Sequence, residues 1–171
     1  MRIEDWYPER KPKFSEPGAF EAVIYGSDRP VSSGRSYCAF AIRKQEAANW
    51  AGTGFPSEGD SEEYRAYIAA SVGVLESLAP KSSVRILTHH ETVYKAFMEW
   101  LPKWEANGWK RKNKKQIAAE EIFRRFISVA RDRQIEWTFA LVREDDPLYG
   151  IIERLAEEIA KRIDNDAGLH S

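Results

Sequence analysis

Residues 20–43, FEAVIYGSDRPVSSGRSYCAFAIR, contain two apolar runs joined by a turn. Phe20 to Tyr25 and Ser36 to Arg43 have the length and composition of buried strands, and the residues between them are rich in serine and glycine. A third, weaker strand is predicted around residues 47–55, where two glycines lower the strand propensity. Three strands joined in this way predict an antiparallel meander.

After this meander the hydrophobic period becomes helical. Five apolar side chains share one face of a predicted helix: Tyr64, Ile68, Val72, Leu75 and Leu78. Ser61 is a suitable N-cap for this helix, and Pro80 marks its end. The remaining pattern predicts, in chain order, a strand over 84–88, a helix over 91–104 with a break at Pro102, a helix over 116–131, a strand over 135–142 and a final helix containing Leu155. The order βββαβααβα predicts an α/β fold with a five-stranded mixed sheet, antiparallel at one edge, parallel further in, and flanked by helices.

Length and composition favour one globular domain. The chain has 171 residues, 43% hydrophobic and 31% charged, with a net charge of −1. We expect a single domain over 19–171, and an irregular extension over 1–18, where three prolines disfavour regular structure. The lone Cys38 cannot form an internal disulfide and is expected to be buried. Because no apolar run reaches ~20 residues and no secretory signal is recognisable, a cytoplasmic protein without membrane contact is expected.

The stretch from Trp100 to Lys115, WLPKWEANGWKRKNKK, interleaves three tryptophans with six basic residues. A local positive field with aromatic support is typical of a surface that binds a polyanion, so nucleic acid is the expected partner. The residues predicted to bind it are Trp104, Trp109, Lys110, Arg111, Lys112, Lys114 and Lys115. The alternative is that two tryptophans pack into the domain while the lysines only solvate a loop.

The order of elements and these motifs together resemble ribonuclease H type 1 over about residues 20–163. The strongest part of the resemblance is residues 100–117, followed by Gln134-Ile135-Glu136-Trp137, which looks like the basic protrusion of that family. The resemblance implies a ribonuclease H-like fold with a basic protrusion at about 100–117. It also implies an ancestral endonuclease that cuts the RNA strand of an RNA–DNA hybrid with two divalent metal ions.

The same resemblance indicates that the active site is degenerate. The family uses four carboxylates, and the matching positions here are Tyr25, Ala66, His89 and Glu153. Phenol, methyl and imidazole groups do not meet the hard-oxygen preference of Mg²⁺. We therefore expect no catalytic residues, no metal and no cofactor in this chain, which makes it a pseudoenzyme that binds a hybrid or duplex.

Two other interpretations remain open at this point. Neighbouring acids could rebuild the site with Mg²⁺ or Mn²⁺ and give an active ribonuclease H: Asp28, Glu63, Glu91, Asp145 and Asp146. Alternatively, the aromatic protrusion could bind another protein. A transition-metal site at His89, His90 and Glu91 is disfavoured, since strand alternation is expected to send the two imidazoles to opposite faces.

Overall fold

The computed structural model describes residues 3–7, 10–30, 36–57, 62–110 and 117–170. The strands are β1 (Ile3–Trp6), β2 (Ala19–Pro30), β3 (Ser36–Lys44), β4 (Trp50–Pro56), β5 (Ser83–Thr88) and β6 (Glu136–Leu141). The helices are α1 (Glu63–Ser77), α2 (Glu91–Lys95), a π-helical segment (Ala96–Trp100), α3 (Leu101–Ala106), α4 (Glu120–Asp132) and α5 (Tyr149–His170).

All six strands form one mixed sheet in the order β1-β4-β3-β2-β5-β6. β3 is antiparallel to both β2 and β4, whereas β5 is parallel to both β2 and β6. The five strands from β2 to β6 confirm the predicted mixed sheet, with its antiparallel meander on one side and its parallel strands on the other. β5 ends beside the middle of β2, because Val23 pairs with Leu87 and β2 continues to Pro30.

The expectation of an irregular segment over residues 1–18 was wrong for β1. This strand pairs in parallel with β4, placing Ile3 opposite Trp50 and Trp6 opposite Gly52. A Cβ at Gly52 would lie 2.9 Å from the Trp6 ring, and one at Gly54 would lie 3.2 Å from it. The two glycines that weakened the prediction of β4 therefore make room for the indole of a sixth strand.

Helix boundaries differ from the predictions at three places. The N-cap of α1 is Glu62, which makes no side-chain capping bond, and Ser61 lies outside the described residues. Pro102 does not break its helix; it lies in the first turn of α3, directly after the π-helical segment Ala96–Trp100. The helix predicted from residue 116 begins only at Glu120, since Ala119 has the left-handed φ of 60°.

Apolar clusters cover both faces of the sheet. One face packs against α1, α4 and the helical region 91–106, and the other packs against α5. Cys38 lies in the first cluster with no exposed surface, as expected, and its thiol donates to the carbonyl of Phe55 at 3.5 Å. No helix within the described ranges is long and apolar enough to cross a bilayer.

Candidate functional site

The four positions that the resemblance matches to the ribonuclease H carboxylates lie on four different elements. Tyr25 is in β2, Ala66 in α1, His89 directly after β5 and Glu153 in α5. The structure stacks the rings of Tyr25 and His89, with centroids 5.9 Å apart and planes inclined by 17°. Ala66 has no exposed surface, whereas Glu153 is exposed to solvent.

An aromatic cluster lies where β5 ends, beside the middle of β2. Its members are Tyr25, Tyr67, His89, His90 and Tyr149. The Tyr67 ring lies 5.9 Å from Tyr25, 5.8 Å from His89 and 4.8 Å from His90, measured between centroids. The ring of Tyr149, at the start of α5, lies 6.1 Å from His89. Rings at these distances and inclinations attract one another and exclude water between them.

Close packing of α1 on β2 places Tyr67 in this cluster. A Cβ at Gly26 would lie 2.8 Å from the backbone nitrogen of Tyr67 and 2.9 Å from the Cβ of Ala66. Only a glycine can therefore occupy this position with the helix so close. The approach leaves Tyr67 with no exposed surface, and its hydroxyl lies 3.3 Å from Nε2 of His89.

Burial keeps the side chains of His89 and Tyr67 uncharged near pH 7. Desolvation lowers the pKa of His89, and the neighbouring His90 lowers it further, so its imidazole is uncharged. Desolvation also raises the pKa of Tyr67 above its ordinary value, which keeps the phenol protonated. Nδ1 of His89 is buried and has no hydrogen-bond partner among the described residues. The resemblance matches the position of His89 to a family carboxylate, and an uncharged imidazole stands there in this chain.

The donor set at these positions does not fit a pair of Mg²⁺ ions. Mg²⁺ requires an almost octahedral set of oxygen ligands, most often supplied by carboxylates and water. The aligned positions offer one carboxylate, Glu153, together with a phenol, a methyl group and an imidazole. Within the described ranges, no three His, Cys, Asp or Glu side chains are grouped so that they could hold a metal ion.

The acidic residues named above as possible replacement metal ligands do not share a common partner. Glu63 Oε1 lies 3.7 Å from Nε2 of His90, and Glu91 Oε1 lies 3.4 Å from Nζ of Lys95. Asp146 accepts a hydrogen bond from the backbone of Leu148 at 2.8 Å. The structure describes Asp145 as exposed, and the side chain of Asp28 lies outside the described part of the chain.

The expectation that His89 and His90 lie on opposite faces was wrong. β5 ends at Thr88, so the alternation of a strand does not extend to the two histidines, and both rings contact Tyr67. His90 is the N-cap of α2, and its Nδ1 accepts a hydrogen bond from the Val93 N–H at 3.2 Å. Nδ1 of His90 is therefore engaged in the helix cap, and Nε2 is the ring nitrogen that lies near Glu63.

Trp104 and Trp109, in the first part of the basic segment, both pack against residues of α4. The Trp104 ring lies 5.2 Å from Phe123, and its carbonyl accepts a hydrogen bond from the Trp109 N–H at 2.7 Å. The guanidinium of Arg124 lies 4.8 Å above the Trp109 ring, a distance typical of a cation–π contact. Lys110 follows as an exposed side chain. The other predicted contact residues lie outside the described residues: Arg111, Lys112, Lys114 and Lys115.

A pocket lies beside His90 of the aromatic cluster and beside Trp100 and Trp104. It has a volume of about 530 Å³ and lies between α1, α2, α3 and the residues before α4. Its walls include Tyr64, His90, Thr92, Trp100, Trp104 and Ile117. Sequence reasoning missed this pocket, because the helical period places Tyr64 on an inward face and gives no signal that the space beside it is open.

The comparisons with known proteins agree with this geometry. The family model for RNase H matches residues 26–141, more than half of the chain. The chain belongs to the ribonuclease H family. Ribonuclease H of Cupriavidus necator is 31% identical over 83 residues, which cover 48% of this chain and 57% of that protein. Ribonuclease HI of Pseudomonas aeruginosa is 27% identical over 90 residues, which cover 53% of this chain and 61% of that protein. The matches thus span about three fifths of these curated relatives.

Solved structures share the ribonuclease H fold with this chain. The RNase H domain of prototype foamy virus gives a TM-score of 0.53 at 16% identity, covering 87% of this chain and 94% of that one. LC9-RNase H1, described as a type 1 RNase H with the type 2 active-site motif, gives 0.52 at 12% identity, covering 77% and 67%. Foamy viral protease-reverse transcriptase in complex with an RNA/DNA hybrid gives 0.55 at 19% identity, covering 80% and 19%. Identities this low support the fold and no more.

Proposed function

We propose that this ribonuclease H family member binds an RNA–DNA hybrid or another nucleic-acid duplex and has lost two-metal cleavage of RNA. The observation that carries the proposal is the aromatic cluster. Its stacked Tyr25 and His89 stand at positions where the resemblance requires carboxylates, and both are held by the buried Tyr67. We use the word groove for the space at Tyr25, Ala66 and His89. Because aromatic rings fill this groove, it lacks the converging oxygens that a two-metal reaction needs.

Loss of the carboxylates also changes the electrostatic interaction between the groove and a phosphate group. Uncompensated carboxylates repel the backbone of a nucleic acid, and the enzymes of this family rely on metal ions to reverse that repulsion. Uncharged side chains at Tyr25, Ala66 and His89 remove most of this repulsion without any metal. We therefore expect nucleic-acid binding that needs no divalent cation.

The attractive side of the interface is the basic segment after α3. Trp104 and Trp109 support the first part of this segment, and Lys110 follows them as an exposed side chain. Five of the six residues from 110 to 115 are cationic. Cations at this density release counterions from a phosphate backbone, which favours binding of any sequence. The segment accordingly positions a duplex rather than reading its bases.

Binding is tested by mobility shift of an RNA–DNA hybrid at low salt in the presence of EDTA. We expect a shift that weakens steeply as salt rises, and loss of most binding in Lys112→Glu with Lys114→Glu. Two lost phosphate contacts reduce the slope of log K against log salt by about 2. The matched control reverses two exposed lysines far from the segment, Lys44 and Lys161, and changes net charge equally. An unshifted hybrid with wild-type protein at low salt refutes the proposal.

Cleavage is tested separately on a denaturing gel with Mg²⁺ and with Mn²⁺. We expect the hybrid to remain intact in both, because Glu153 is the lone carboxylate at the aligned positions. Metal-dependent cutting by the wild type that disappears in Glu153→Ala would instead establish an active enzyme with relocated ligands. The Glu157→Ala variant, changed one turn further along the same helix, controls for contaminating nuclease.

A further inference from the structure

β6 is an edge strand, and its outer side has no neighbouring strand among the described residues. It is last in the order of the sheet and pairs in parallel with β5. The N–H groups of Glu136 and Val142 both donate to carbonyl groups on the β5 side, at 3.1 and 2.8 Å. Because alternate residues of a strand direct their backbone groups to opposite edges, three residues present N–H and C=O groups at the free edge: Trp137, Phe139 and Leu141. No hydrogen bond from another described segment reaches these outward groups.

The free edge of β6 lacks the features that usually prevent strands from pairing. Folded proteins protect such edges with lysines, prolines, bulges or very short strands. The six residues of β6, EWTFAL, include one charged residue and no lysine or proline, and their register with β5 is unbroken. The opposite edge differs, because β1 has only four residues, two of them acidic, and pairs with an irregular register. β6 is therefore the edge that is suited to accept another strand.

The side chains beside this edge are uncharged. Trp137 and Leu141 are half-buried, and Thr138 is exposed on the opposite face of the strand. Met98 is 37% exposed and lies along the edge, with its Sδ 4.0 Å from Oγ1 of Thr138. A methionine side chain is flexible, so it can move aside and pack against an added strand. The edge thus offers apolar contacts in addition to backbone hydrogen bonds.

We infer that two copies of this chain form a dimer through β6, with the two strands antiparallel about a two-fold axis at Phe139. In this register Trp137 lies opposite the partner's Leu141, and Phe139 lies opposite the partner's Phe139. Each of these pairs consists of residues whose backbone groups point outward, so each exchanges two hydrogen bonds. A two-fold axis uses the free edge of β6 in both copies, so the assembly closes at a dimer.

The sequence of β6 complements itself in this register. Thr138 lies opposite the partner's Ala140, and the one charged residue, Glu136, lies opposite the partner's Val142. Either shift of two residues leaves only two outward-facing pairs within β6 instead of three, and one of these shifts places Glu136 opposite the partner's Glu144. Like charges opposite each other destabilise a pair of strands. The absence of such a conflict in the central register favours a second copy as the occupant of the edge.

The test follows association of the full chain over the micromolar range by sedimentation equilibrium, since an interface of one strand pair is small. No nucleic acid is present, so the result does not depend on the proposed function. We expect the weight-average mass to rise toward twice the monomer value. Amide hydrogen exchange gives a second readout: the amides of Trp137, Phe139 and Leu141 should become protected as concentration rises. The amides of Thr138 and Ala140 point toward β5 and should not change.

Two double variants test the register. Thr138→Lys with Ala140→Lys places like charges opposite each other in two equivalent pairs, and should lower the association constant about tenfold, equivalent to ~1.4 kcal/mol. Thr138→Lys with Ala140→Glu places opposite charges there in this register alone, and should retain the dimer. The matched control, Ala48→Lys with Asn49→Lys, adds two positive charges between β3 and β4, remote from β6 in the sheet, and should also retain it.

Circular dichroism verifies that each variant is folded. A dimer that is lost in the double-lysine variant but kept in the lysine–glutamate variant and in the control supports the inference. A wild type that stays monomeric, a double-lysine variant that associates as the wild type does, or a folded lysine–glutamate variant that does not associate overturns it. If a variant of β6 fails to fold, the concentration dependence of the three outward amides in the wild type decides. In every case the proposed function is tested separately by its own binding assay.

Discussion

Returning a carboxylate to the groove tests whether the groove has closed, and Ala66→Glu does so at the helix position aligned with a family glutamate. Ala66 has no exposed surface, and its Cβ faces Gly26 so closely that a second Cβ there would lie 2.9 Å away. The new side chain must therefore displace its neighbours or place its carboxylate among the rings. Either response destabilises the folded state.

The magnitude has two parts. Forcing extra atoms into a packed interior costs ~1–3 kcal/mol. A buried carboxyl whose pKa rises from about 4.3 in the unfolded chain to 7 or above costs a further ~3.7 kcal/mol at pH 7, at ~1.36 kcal/mol per unit. The sum of about 5–7 kcal/mol is comparable to the whole stability of a small domain, which is ~5–15 kcal/mol.

Urea unfolding of the wild type, Ala66→Glu and Ala66→Gln at pH 4 and pH 7 measures both parts. The glutamine variant has the same size without the charge, so its deficit relative to wild type should not change with pH. The deficit of the glutamate variant should grow as pH rises above about 4.3, because only the unfolded state then ionises freely. Equal deficits for both variants at both pH values, or a deficit below ~1 kcal/mol at pH 7, would mean that the groove is open to solvent.

Two further substitutions probe the packing and the charges of the sheet. Gly26→Ala should lower the free energy of unfolding by ~1–3 kcal/mol in thermal denaturation, since its Cβ would lie 2.8 Å from the backbone nitrogen of Tyr67; unchanged stability would contradict the close packing of α1 on β2. Burial raises the pKa of Glu21, but hydrogen bonds from Arg85 and Arg43 outweigh this and hold it below the usual 4.5. Its stabilising contribution is therefore present above about pH 4.5 and lost as pH falls through the lower folded-state pKa, and Glu21→Gln should remove that acid sensitivity along with ~1–3 kcal/mol near neutral pH.

Sequence patterns predicted the fold well where the interactions are local. The apolar run from Phe20 to Tyr25 and the helical period of the segment ending at Leu78 correspond to β2 and α1. β1 was missed because its pairing with β4 is distant in sequence, and because nearby prolines suggested an extended lead. The glycine opposite Trp6 lowers the strand propensity of β4, but it also leaves room for the Trp6 ring against that strand. A local sequence pattern shows only the first of these effects.

The candidate site was predictable in part. The resemblance pointed to Tyr25 and His89, and the structure brings their rings together. The contribution of Tyr67 was not visible, since in sequence it is one residue of an amphipathic helix and its role depends on how closely α1 approaches Gly26. His90 was assigned to the wrong face because the strand period was extended two residues beyond the end of β5 at Thr88.

The groove and the basic segment depend on different contacts. This separation bears on the proposed function, in which nucleic-acid binding persists without catalysis. The groove residues are mutually dependent, since Tyr25 and His89 stack on each other and both contact Tyr67, so restoring a single acid leaves its charge facing apolar rings. The basic segment relies instead on Trp104 against Phe123 and on Arg124 over Trp109, contacts between α3, the turn after it, and α4. None of these four side chains belongs to the aromatic cluster. Under the proposed function, loss of the carboxylates leaves the contacts that support the basic segment unchanged, so binding to a phosphate backbone does not depend on the metal site.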